Sequence, residues 1–151
     1  SHPTTQLCIR WLEDQISMND TVLDYGCGSG ILSIISKTLG AKKVIGIDND
    51  HQALRNAERN KQLNSMEIDF FHIDNYQGSL KYDIVIANIL LNTIIGLKET
   101  LISSLNPNGI LILTGILKDQ AIELISAFSP EINLSIIEEQ EGWLLFQGKK
   151  S

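Results

Sequence analysis

The sequence predicts a three-layer α/β fold in which a doubly wound, mostly parallel, seven-stranded sheet ends in an antiparallel hairpin. From Thr21 onward, short apolar strands alternate with amphipathic helices, and this alternation requires parallel strands joined by right-handed crossovers. A glycine-rich loop follows the first of these strands. After Ser129-Pro130, two strand-like runs follow one another with no helix between them. We expect a single domain over residues 1–151, because the chain is too short for two independent cores.

Hydrophobic periodicity predicts five helices. In the first helix, apolar residues recur at helical spacing from Leu7 to Ile16, and either Thr4 or Thr5 could cap its start. The second helix stops before Gly40, a residue typical of a helix C-terminus. The second to fifth helices are predicted over residues 31–39, 51–64, 91–105 and 118–128.

The same patterns predict seven strands. The first five belong to the alternating part of the chain, and the last two form the hairpin, which turns near Gly142. A turn over Asn106–Gly109 precedes the fifth strand, because Asn-Pro-Asn-Gly is a strong turn signal. The predicted strands comprise residues 21–24, 43–48, 66–72, 82–87, 110–114, 132–137 and 143–147.

The charge of the chain narrows the classes of function that it can have. The chain carries 12 lysines and arginines against 18 aspartates and glutamates, a formal net charge of -6, and the basic residues are scattered along the sequence. Because nucleic acids are bound through clustered positive charge, we expect no direct binding of nucleic acid. An acidic surface suits a basic partner, or it serves only solubility.

The two cysteines, Cys8 and Cys27, have a spacing that indicates neither a disulfide framework nor a metal site. We therefore expect no metal and a cytoplasmic location. The sequence shows no run of 18 apolar residues and no basic leader, so neither a membrane span nor a signal peptide is expected. The chain opens at Ser1-His2, and we expect it to be a fragment of a longer protein.

The glycine-rich loop is the first candidate binding element. In a parallel sheet, ligands bind beyond the carboxyl ends of the strands, where Gly26, Gly28 and Gly30 lie directly before a helix. Their G-x-G-x-G spacing after Asp24 differs from the G-x-G-x-x-G of dinucleotide-binding loops and favours S-adenosylmethionine. Asp24 either holds the loop or meets the methionine amino group of that ligand. The alternative is a tight strand-to-helix turn that binds nothing.

Three carboxylates follow the next strands. Asp48 ends the second strand, where a carboxylate can accept both hydroxyl hydrogens of a ribose. Asp50 competes for that role, although it is better placed to cap the helix that begins at His51. Asp74 follows the third strand and either accepts a hydrogen bond from the adenine amino group or belongs to a turn.

Asn88 closes the fourth strand and places a carboxamide at the sheet edge where the methyl donor is expected. Its oxygen, with nearby backbone carbonyls, could accept N–H hydrogens from an incoming amine and point the amine lone pair at the sulfonium methyl. We therefore interpret Asn88 as a catalytic residue. A simple turn asparagine is the alternative.

Other side chains receive structural interpretations. Cys27 is expected to be a small loop residue, since no histidine is tied to it by a motif. The three histidines have no mutual spacing that indicates a metal site or a proton relay. Trp11 and Trp143 are expected to pack.

Six segments carry a resemblance to a known family. They are His2-Pro3-Thr4-Thr5, the run from Val22 to Leu32, Gly46-Ile47-Asp48, Ala57-Glu58-Arg59-Asn60, Ala87-Asn88-Ile89-Leu90 and Gly115-Ile116-Leu117. The glycine loop is shared by many methyltransferases, whereas the opening motif together with Ala-Asn-Ile-Leu and Gly-Ile-Leu is far more specific. Nearly end to end, the chain resembles the ribosomal protein L11 methyltransferase family, often called PrmA.

The resemblance implies a Rossmann-like class I fold and an enzyme that uses S-adenosylmethionine to methylate amino groups, on lysines and the N-terminus, of a large-subunit ribosomal protein. It implies that Thr5, Gly26, Asp48 and Asn88 contact the cofactor, with Asn88 also bordering the substrate amine. Members of the family carry an N-terminal substrate-recognition domain that is not found in these 151 residues. Leu91 stands where the family commonly has a small residue, and we expect it to narrow the acceptor entrance.

Three other functions are compatible with the same residues. A small-molecule methyltransferase on this scaffold would build its acceptor pocket from local loops. A non-catalytic module would bind the cofactor without transferring its methyl group. A nicotinamide-dependent enzyme is the third alternative, and the glycine spacing disfavours it.

Overall fold

The computed structural model describes residues 2–151, and within them it shows six α-helices and seven strands. The helices are α1 (Pro3–Gln15), α2 (Ile31–Thr38), α3 (His51–Leu63), α4 (Leu91–Gly96), α5 (Lys98–Ser103) and α6 (Ala121–Phe128). The strands are β1 (Thr21–Tyr25), β2 (Lys43–Asp48), β3 (Asp69–His72), β4 (Tyr82–Asn88), β5 (Leu105–Leu117), β6 (Ser135–Gln140) and β7 (Trp143–Lys149). Short 3₁₀ turns lie at Ile73–Asn75 and Lys118–Gln120. No helix in this described range is both long and apolar enough to cross a bilayer.

All seven strands form one sheet in the order β3-β2-β1-β4-β5-β7-β6. Strands β1 to β5 pair in parallel, whereas β7 runs antiparallel to both of its neighbours, β5 and β6. The chain reverses its direction across the sheet between β1 and β4, and a crevice forms at such a switch point. The predicted fold, a doubly wound and mostly parallel sheet with a terminal antiparallel hairpin, is confirmed.

Two apolar clusters cover the two faces of the sheet. Neighbouring residues of a strand point to opposite faces, so Leu23 joins the cluster formed with α4, α5 and α6. Val22 joins the cluster formed with α1 and α2. Leu7 and Leu12 of α1 are fully buried in that second cluster, which explains their helical spacing in the sequence. The two helical layers thus cover both faces of the sheet.

Several predicted elements differ in extent from the observed ones, and for two of them the local reason is clear. The predicted helix over residues 91–105 is two helices, because the chain bends at Leu97, which has φ of -98° and ψ of 7°. The sixth strand begins at Ser135 instead of residue 132. Ile132 and Leu134 are buried in the core before strand pairing begins, and their apolar character accounts for the earlier predicted start.

The fifth strand begins earlier than predicted. Leu105 pairs with Tyr82 of β4, and the next pair joins Ile110 to Ile84, so the residues in between leave the ladder and return to it. Asn108, with φ of 67°, lies in this excursion. The prediction of a turn that separates helix from strand at Asn106–Gly109 is therefore wrong, since these residues lie inside the span of β5.

Neither threonine predicted to cap α1 does so. The N-cap is His2, whose Nδ1 accepts the Thr4 N–H at 3.2 Å, and Pro3 occupies the first helical position. An imidazole nitrogen here takes the place of the usual hydroxyl or carboxylate cap. Thr4 is buried and Thr5 is half-buried at the start of the helix.

Candidate functional site

The glycine loop after β1 adopts a backbone conformation that requires glycine. Gly26, Gly28 and Gly30 have φ of 79°, 55° and 85°, in the left-handed region where a Cβ causes strain. The Gly26 N–H donates to the Ile47 carbonyl at 2.8 Å, which ties the loop to the end of β2. A Cβ on Gly26 would lie 2.6 Å from Cγ2 of Ile89, so the loop also packs against the segment after β4.

Asp48 connects the glycine loop to the start of α3. Its Oδ2 accepts the Gly28 N–H at 2.8 Å, and its Oδ1 accepts the Asp50 N–H at 2.9 Å. Asp50 caps α3 by accepting the Gln52 N–H at 2.9 Å, which confirms its predicted capping role. Of these two carboxylates, Asp48 is the one that lines a cavity.

Asp24 lies behind the loop, in the interior. It is 2% exposed, and its Oδ2 accepts the Ser33 hydroxyl of α2 at 2.7 Å. Burial raises the pKa of this carboxyl to about 6, although the hydrogen bonds from Ser33 oppose the rise. Of its two predicted roles, this position favours holding the loop against α2.

A cavity of about 260 Å³ opens beside the ends of β1 and β2. Its polar edge carries Gly26 and Asp48, and aliphatic side chains form most of the rest. The lining residues are Tyr25, Gly26, Ile47, Asp48, Asn49, Ile73, Ile89, Thr93 and Leu97. A carboxylate next to apolar walls suits a nucleoside, whose hydroxyls need acceptors and whose base needs flat apolar contact.

A second cavity, of about 530 Å³, adjoins the first. Three residues, Asn49, Ile89 and Thr93, line both cavities. The complete lining consists of His2, Thr4, Thr5, Asn49, Asn88, Ile89, Leu90, Thr93, Gly115 and Trp143. The fold therefore brings Thr5 from the first turn of α1 and Asn88 from the end of β4 to the same cavity.

Close packing of β5 against the segment after β4 determines the surroundings of Asn88. Asn88 pairs with Thr114, whose buried hydroxyl donates to the Leu144 carbonyl at 2.7 Å. The following residue, Gly115, has φ of 97°, and a Cβ there would lie only 2.5 Å from the Ile89 carbonyl oxygen. Position 115 thus requires glycine, because any side chain there would push away the backbone of Ile89, the residue that follows Asn88.

Among the residues of the second cavity that the sequence patterns do not indicate as site residues, two carry aromatic rings. His2 and Trp143 contact each other edge to face, with ring centroids 5.1 Å apart and an angle of 64°. Trp143 reaches the cavity because β7 docks on β5, where it pairs with Leu117. Trp11, in contrast, is 5% exposed and packs as predicted, with its N–H donating to Gln147. The opening His-Pro-Thr-Thr motif is the one signal that points toward His2.

The second cavity is bordered by Leu90 and not by Leu91. The side chain of Leu90 is 72% exposed and lines the cavity, whereas Leu91 is 6% exposed and belongs to the core. The expectation that Leu91 narrows the acceptor entrance is wrong, because α4 begins at this residue and directs its side chain inward.

Asp74 lies outside the lining of both cavities, in the 3₁₀ turn after β3. Its side chain is 83% exposed, and its N–H donates to Nδ1 of His72 at 3.1 Å, which favours the turn role. His72 stacks on His51, with ring centroids 4.1 Å apart. Over residues 2–151, no group of three or more metal-ligating side chains is arranged to hold a metal ion.

Cys27 is a buried loop residue. Burial raises the pKa of its thiol, and the charges of Asp24 and Asp48 raise it further. The thiol is therefore protonated at neutral pH, and a protonated thiol is a poor nucleophile. This environment agrees with the structural role that the sequence indicates.

A known protein family matches this chain over its whole length. The family model of ribosomal protein L11 methyltransferase (PrmA) matches residues 1–151. A ribosomal protein L11 methyltransferase from Chromobacterium violaceum is 43% identical over 150 residues, which cover 99% of this chain and 50% of the relative. One from Cupriavidus metallidurans is 42% identical, with 99% and 49% covered. The chain thus spans about half the length of the curated relatives it matches.

Solved structures of methyltransferases are also similar to this chain. The crystal structure of ribosomal protein L11 methylase from Lactobacillus delbrueckii subsp. bulgaricus superposes with a TM-score of 0.90 at 30% identity, covering 100% of this chain and 81% of that one. A methyltransferase from Pyrococcus furiosus superposes with a TM-score of 0.81 at 16% identity, covering 100% and 87%, and shares the fold. The chain belongs to the ribosomal protein L11 methyltransferase (PrmA) family.

Proposed function

We propose that this domain binds S-adenosylmethionine in the two adjoining cavities and transfers its methyl group to amino groups of a large-subunit ribosomal protein. The acceptor amines are lysine side chains and the N-terminus. The position of Asn88 carries this proposal, because this residue lines the larger of the two cavities, directly beside the cavity that suits a nucleoside. The names of the relatives support the choice of acceptor.

The first cavity fits the adenosine part of the cofactor. Each Asp48 oxygen accepts one backbone N–H and keeps a lone pair for a ribose hydroxyl. Gly26 allows close approach because it has no Cβ. Ile73 and Leu97 offer apolar surface to the base. Thr5 lines the second cavity, where the methionine part would lie.

The remaining predicted cofactor residues act through the shape of the loop. Gly28 donates its N–H to Asp48 and thereby fixes the carboxylate. Gly30 precedes the first turn of α2 in a left-handed conformation, and a Cβ there would lie 2.9 Å from Cζ of Phe70. Asp24 holds α2 through Ser33. We propose that these three residues keep the loop in the form that the cofactor contacts.

When bound, S-adenosylmethionine supplies a methyl group on a sulfonium, which an amine can attack in line without a covalent enzyme intermediate. The residues of the chain orient that amine. The Asn88 oxygen accepts one amine N–H, which points the nitrogen lone pair toward the first cavity. Such orientation lowers reaction barriers by up to roughly 7 to 11 kcal/mol in favourable systems.

The amine must also be neutral before it can attack. A lysine amine in water has a pKa of ~10.4, so it is mostly protonated at neutral pH. Leu90 and Trp143 present apolar surface on the second cavity, and desolvation there favours the neutral amine.

Recognition of the acceptor is assigned to another part of a longer protein. The chain spans about half the length of its curated relatives, and we propose that the other half contributes the acceptor-binding surface. The net charge of -6 complements a basic acceptor protein and disfavours nucleic acid. A ribosomal acceptor places the reaction in the cytoplasm.

Mass spectrometry tests this function. Ribosomal proteins are incubated with isotopically labelled S-adenosylmethionine and the full-length protein that contains this chain, and we expect labelled methyl groups on amines of one large-subunit protein. Label found only on small molecules, or cofactor binding without any transfer, would contradict the proposal.

A pair of asparagine variants tests the role of Asn88. Asn88→Ala should lower the rate of methyl transfer on the order of 100-fold with little change in melting temperature, because the amine loses its orienting acceptor. Asn92→Ala, at an exposed position of α4, is the matched control and should retain full activity. Full activity of Asn88→Ala would remove this residue from the mechanism.

A further inference from the structure

His72 connects two segments at the carboxyl edge of the sheet. Its Nε2 lies 3.1 Å from the Asn49 carbonyl oxygen, and its Nδ1 accepts the Asp74 N–H at 3.1 Å. Because a carbonyl oxygen only accepts, Nε2 carries the proton and donates, which leaves Nδ1 free to accept. A single tautomer of the imidazole thus satisfies both hydrogen bonds and joins the segment after β2 to the turn after β3.

These two segments form walls of the first cavity. Asn49 and Ile73 both line it, and Asn49 also lines the second cavity. The pairing of β2 with β3 ends at Asp48 and His72, so the walls lie directly beyond the last pair of the ladder. His72 itself lines neither cavity, and its side chain is only 11% exposed. It therefore acts on the cavity through the two walls that it connects.

Two neighbours hold the imidazole in place. The ring of His51 stacks on it, with an angle of 11° between the rings. His51 is the first residue of α3, which Asp50 caps, so the stack rests on an anchored helix start. The exposed Asp74 carboxylate lies 3.5 Å from Nδ1. Since both ring nitrogens and one face are engaged, the donor of the imidazole points at Asn49.

We propose that His72 is a positioning residue that sets the width of the first cavity through its hydrogen bond to the Asn49 carbonyl. The inference rests on the proposed function, which assigns the adenosine part of the cofactor to this cavity. Asn49 directly follows Asp48, the proposed acceptor of the ribose hydroxyls, and Ile73 on the other wall offers apolar surface to the base. The bridge keeps these two contacts at a fixed separation, so the cavity need not be ordered when the nucleoside binds.

Two amide variants test which hydrogen bond sets the cavity. His72→Gln places an N–H near the position of Nε2 and can still donate to Asn49, but it has no acceptor for the Asp74 N–H. His72→Asn has the opposite properties, because its oxygen takes the place of Nδ1 and its side chain is too short to reach Asn49. In calorimetry with S-adenosylhomocysteine, we expect His72→Asn to bind about tenfold more weakly than the parent chain and His72→Gln to stay within about twofold of it. Equal affinities, or weaker binding by His72→Gln, would overturn the inference.

Kinetics separate positioning of the cavity from a general loss of structure. Asn88 is held by the pairing of β4 with β5, independently of the bridge. In the full-length protein, His72→Asn should therefore raise the KM for S-adenosylmethionine about tenfold and leave kcat within about twofold. A fall in kcat with an unchanged KM would contradict the proposed role.

Asp74→Ala is the matched control. It removes the exposed carboxylate beside the ring but keeps the backbone N–H that Nδ1 accepts. This variant should bind S-adenosylhomocysteine like the parent chain. A loss as large as that of His72→Asn would assign the effect to the carboxylate and refute the role of the bridge.

A measurement on the parent chain makes the test independent of the folding of the variants. In ¹⁵N NMR spectra, His72 should carry its proton on Nε2, and this proton should exchange with water more slowly when adenosine is bound, because the ligand then holds both walls. Methionine, which lacks the nucleoside, should leave the exchange rate unchanged. A proton on Nδ1, or an exchange rate that adenosine does not alter, would overturn the inference.

The two proposals fail in different ways. If the parent chain binds neither S-adenosylhomocysteine nor adenosine, the proposed function fails and the role of His72 fails with it. If the parent chain binds S-adenosylhomocysteine and both amide variants bind it equally, cofactor binding stands and only the role of His72 is refuted.

Discussion

The Asp48 carboxylate accepts the Gly28 N–H at 2.8 Å, so a side chain at the end of β2 is hydrogen-bonded to the loop that follows β1. The same carboxylate accepts the Asp50 N–H at 2.9 Å, one residue before α3 begins. Asp48 thus connects three elements at the edge of the first cavity. Its remaining lone pairs are the acceptors that the proposed ribose contact requires.

Alanine at position 48 should weaken cofactor binding. In Asp48→Ala, we expect the affinity for S-adenosylhomocysteine, measured by calorimetry, to fall at least about tenfold, because the ribose hydroxyls lose a charged acceptor. Asp50→Ala is the matched control, since it removes the cap of α3 and should cost about 1 kcal/mol of unfolding free energy without changing the affinity. The opposite pattern in the two variants would transfer the ribose contact to Asp50.

The stability of the protein should depend on the ionisation of Asp24. The pKa of its carboxyl is raised to about 6, whereas an unfolded aspartate has a pKa of ~3.9. Between these values the folded state binds more protons, so this group makes the unfolding free energy fall as pH rises from about 4 to about 6. Asp24→Asn removes that loss. The difference in unfolding free energy between the variant and the parent chain should therefore rise by about 3 kcal/mol, in favour of the variant, from pH 4 to pH 7.

Urea titrations of both proteins across this pH range measure the difference. Ser33→Ala provides a further check, because the Ser33 hydroxyl lowers the pKa of Asp24, and its loss should extend the fall in unfolding free energy to higher pH. A difference between Asp24→Asn and the parent chain that stays constant with pH would show that Asp24 does not titrate in this range.

Two glycine variants separate backbone strain from a steric clash at the site. Gly115→Ala and Gly142→Ala both place a Cβ on a residue with positive φ, 97° and 85°, at a cost of roughly 1 to 2 kcal/mol. The new Cβ at position 142 meets no atom within 4 Å, whereas the one at 115 would lie 2.5 Å from the Ile89 carbonyl oxygen. We therefore expect Gly115→Ala to lose more stability, in thermal unfolding, and most of its methyl transfer. Equal losses would show that the path of the backbone beside Asn88 tolerates the added atom.

The two cysteines should resist alkylation while the protein is folded. Cys8 is 1% exposed and Cys27 is 7% exposed, and burial raises the pKa of each thiol. Iodoacetamide near pH 8 should label neither residue until guanidinium unfolds the chain, as mass spectrometry can follow. Cys27→Ala should retain methyl transfer. Rapid labelling of Cys27 in the folded protein would instead indicate an accessible thiolate in the glycine loop.

Features that depend on neighbouring residues could be predicted from the sequence. Asp50 caps α3 because a carboxylate one residue before a helix can reach the N–H groups of its first turn. The positive φ of Gly26 follows from the glycine spacing of a tight strand-to-helix loop. Asp48 and Asn88 end parallel strands, and the geometry of such sheets places their side chains at one edge.

Long-range packing decided the rest of the candidate site. The hairpin pattern predicts that β6 and β7 pair, but only the folded sheet places β7 next to β5 and brings Trp143 to the cavity. Leu90 and Leu91 are adjacent residues of the same type, and the start of α4 turns Leu90 outward and Leu91 into the core. His2 meets Trp143 across the whole length of the chain. The sequence by itself thus determined the elements and the edge where the ligand site lies, because these follow from local backbone preferences. The tertiary structure alone decided which distant side chains complete that site, because their contacts depend on how the layers pack.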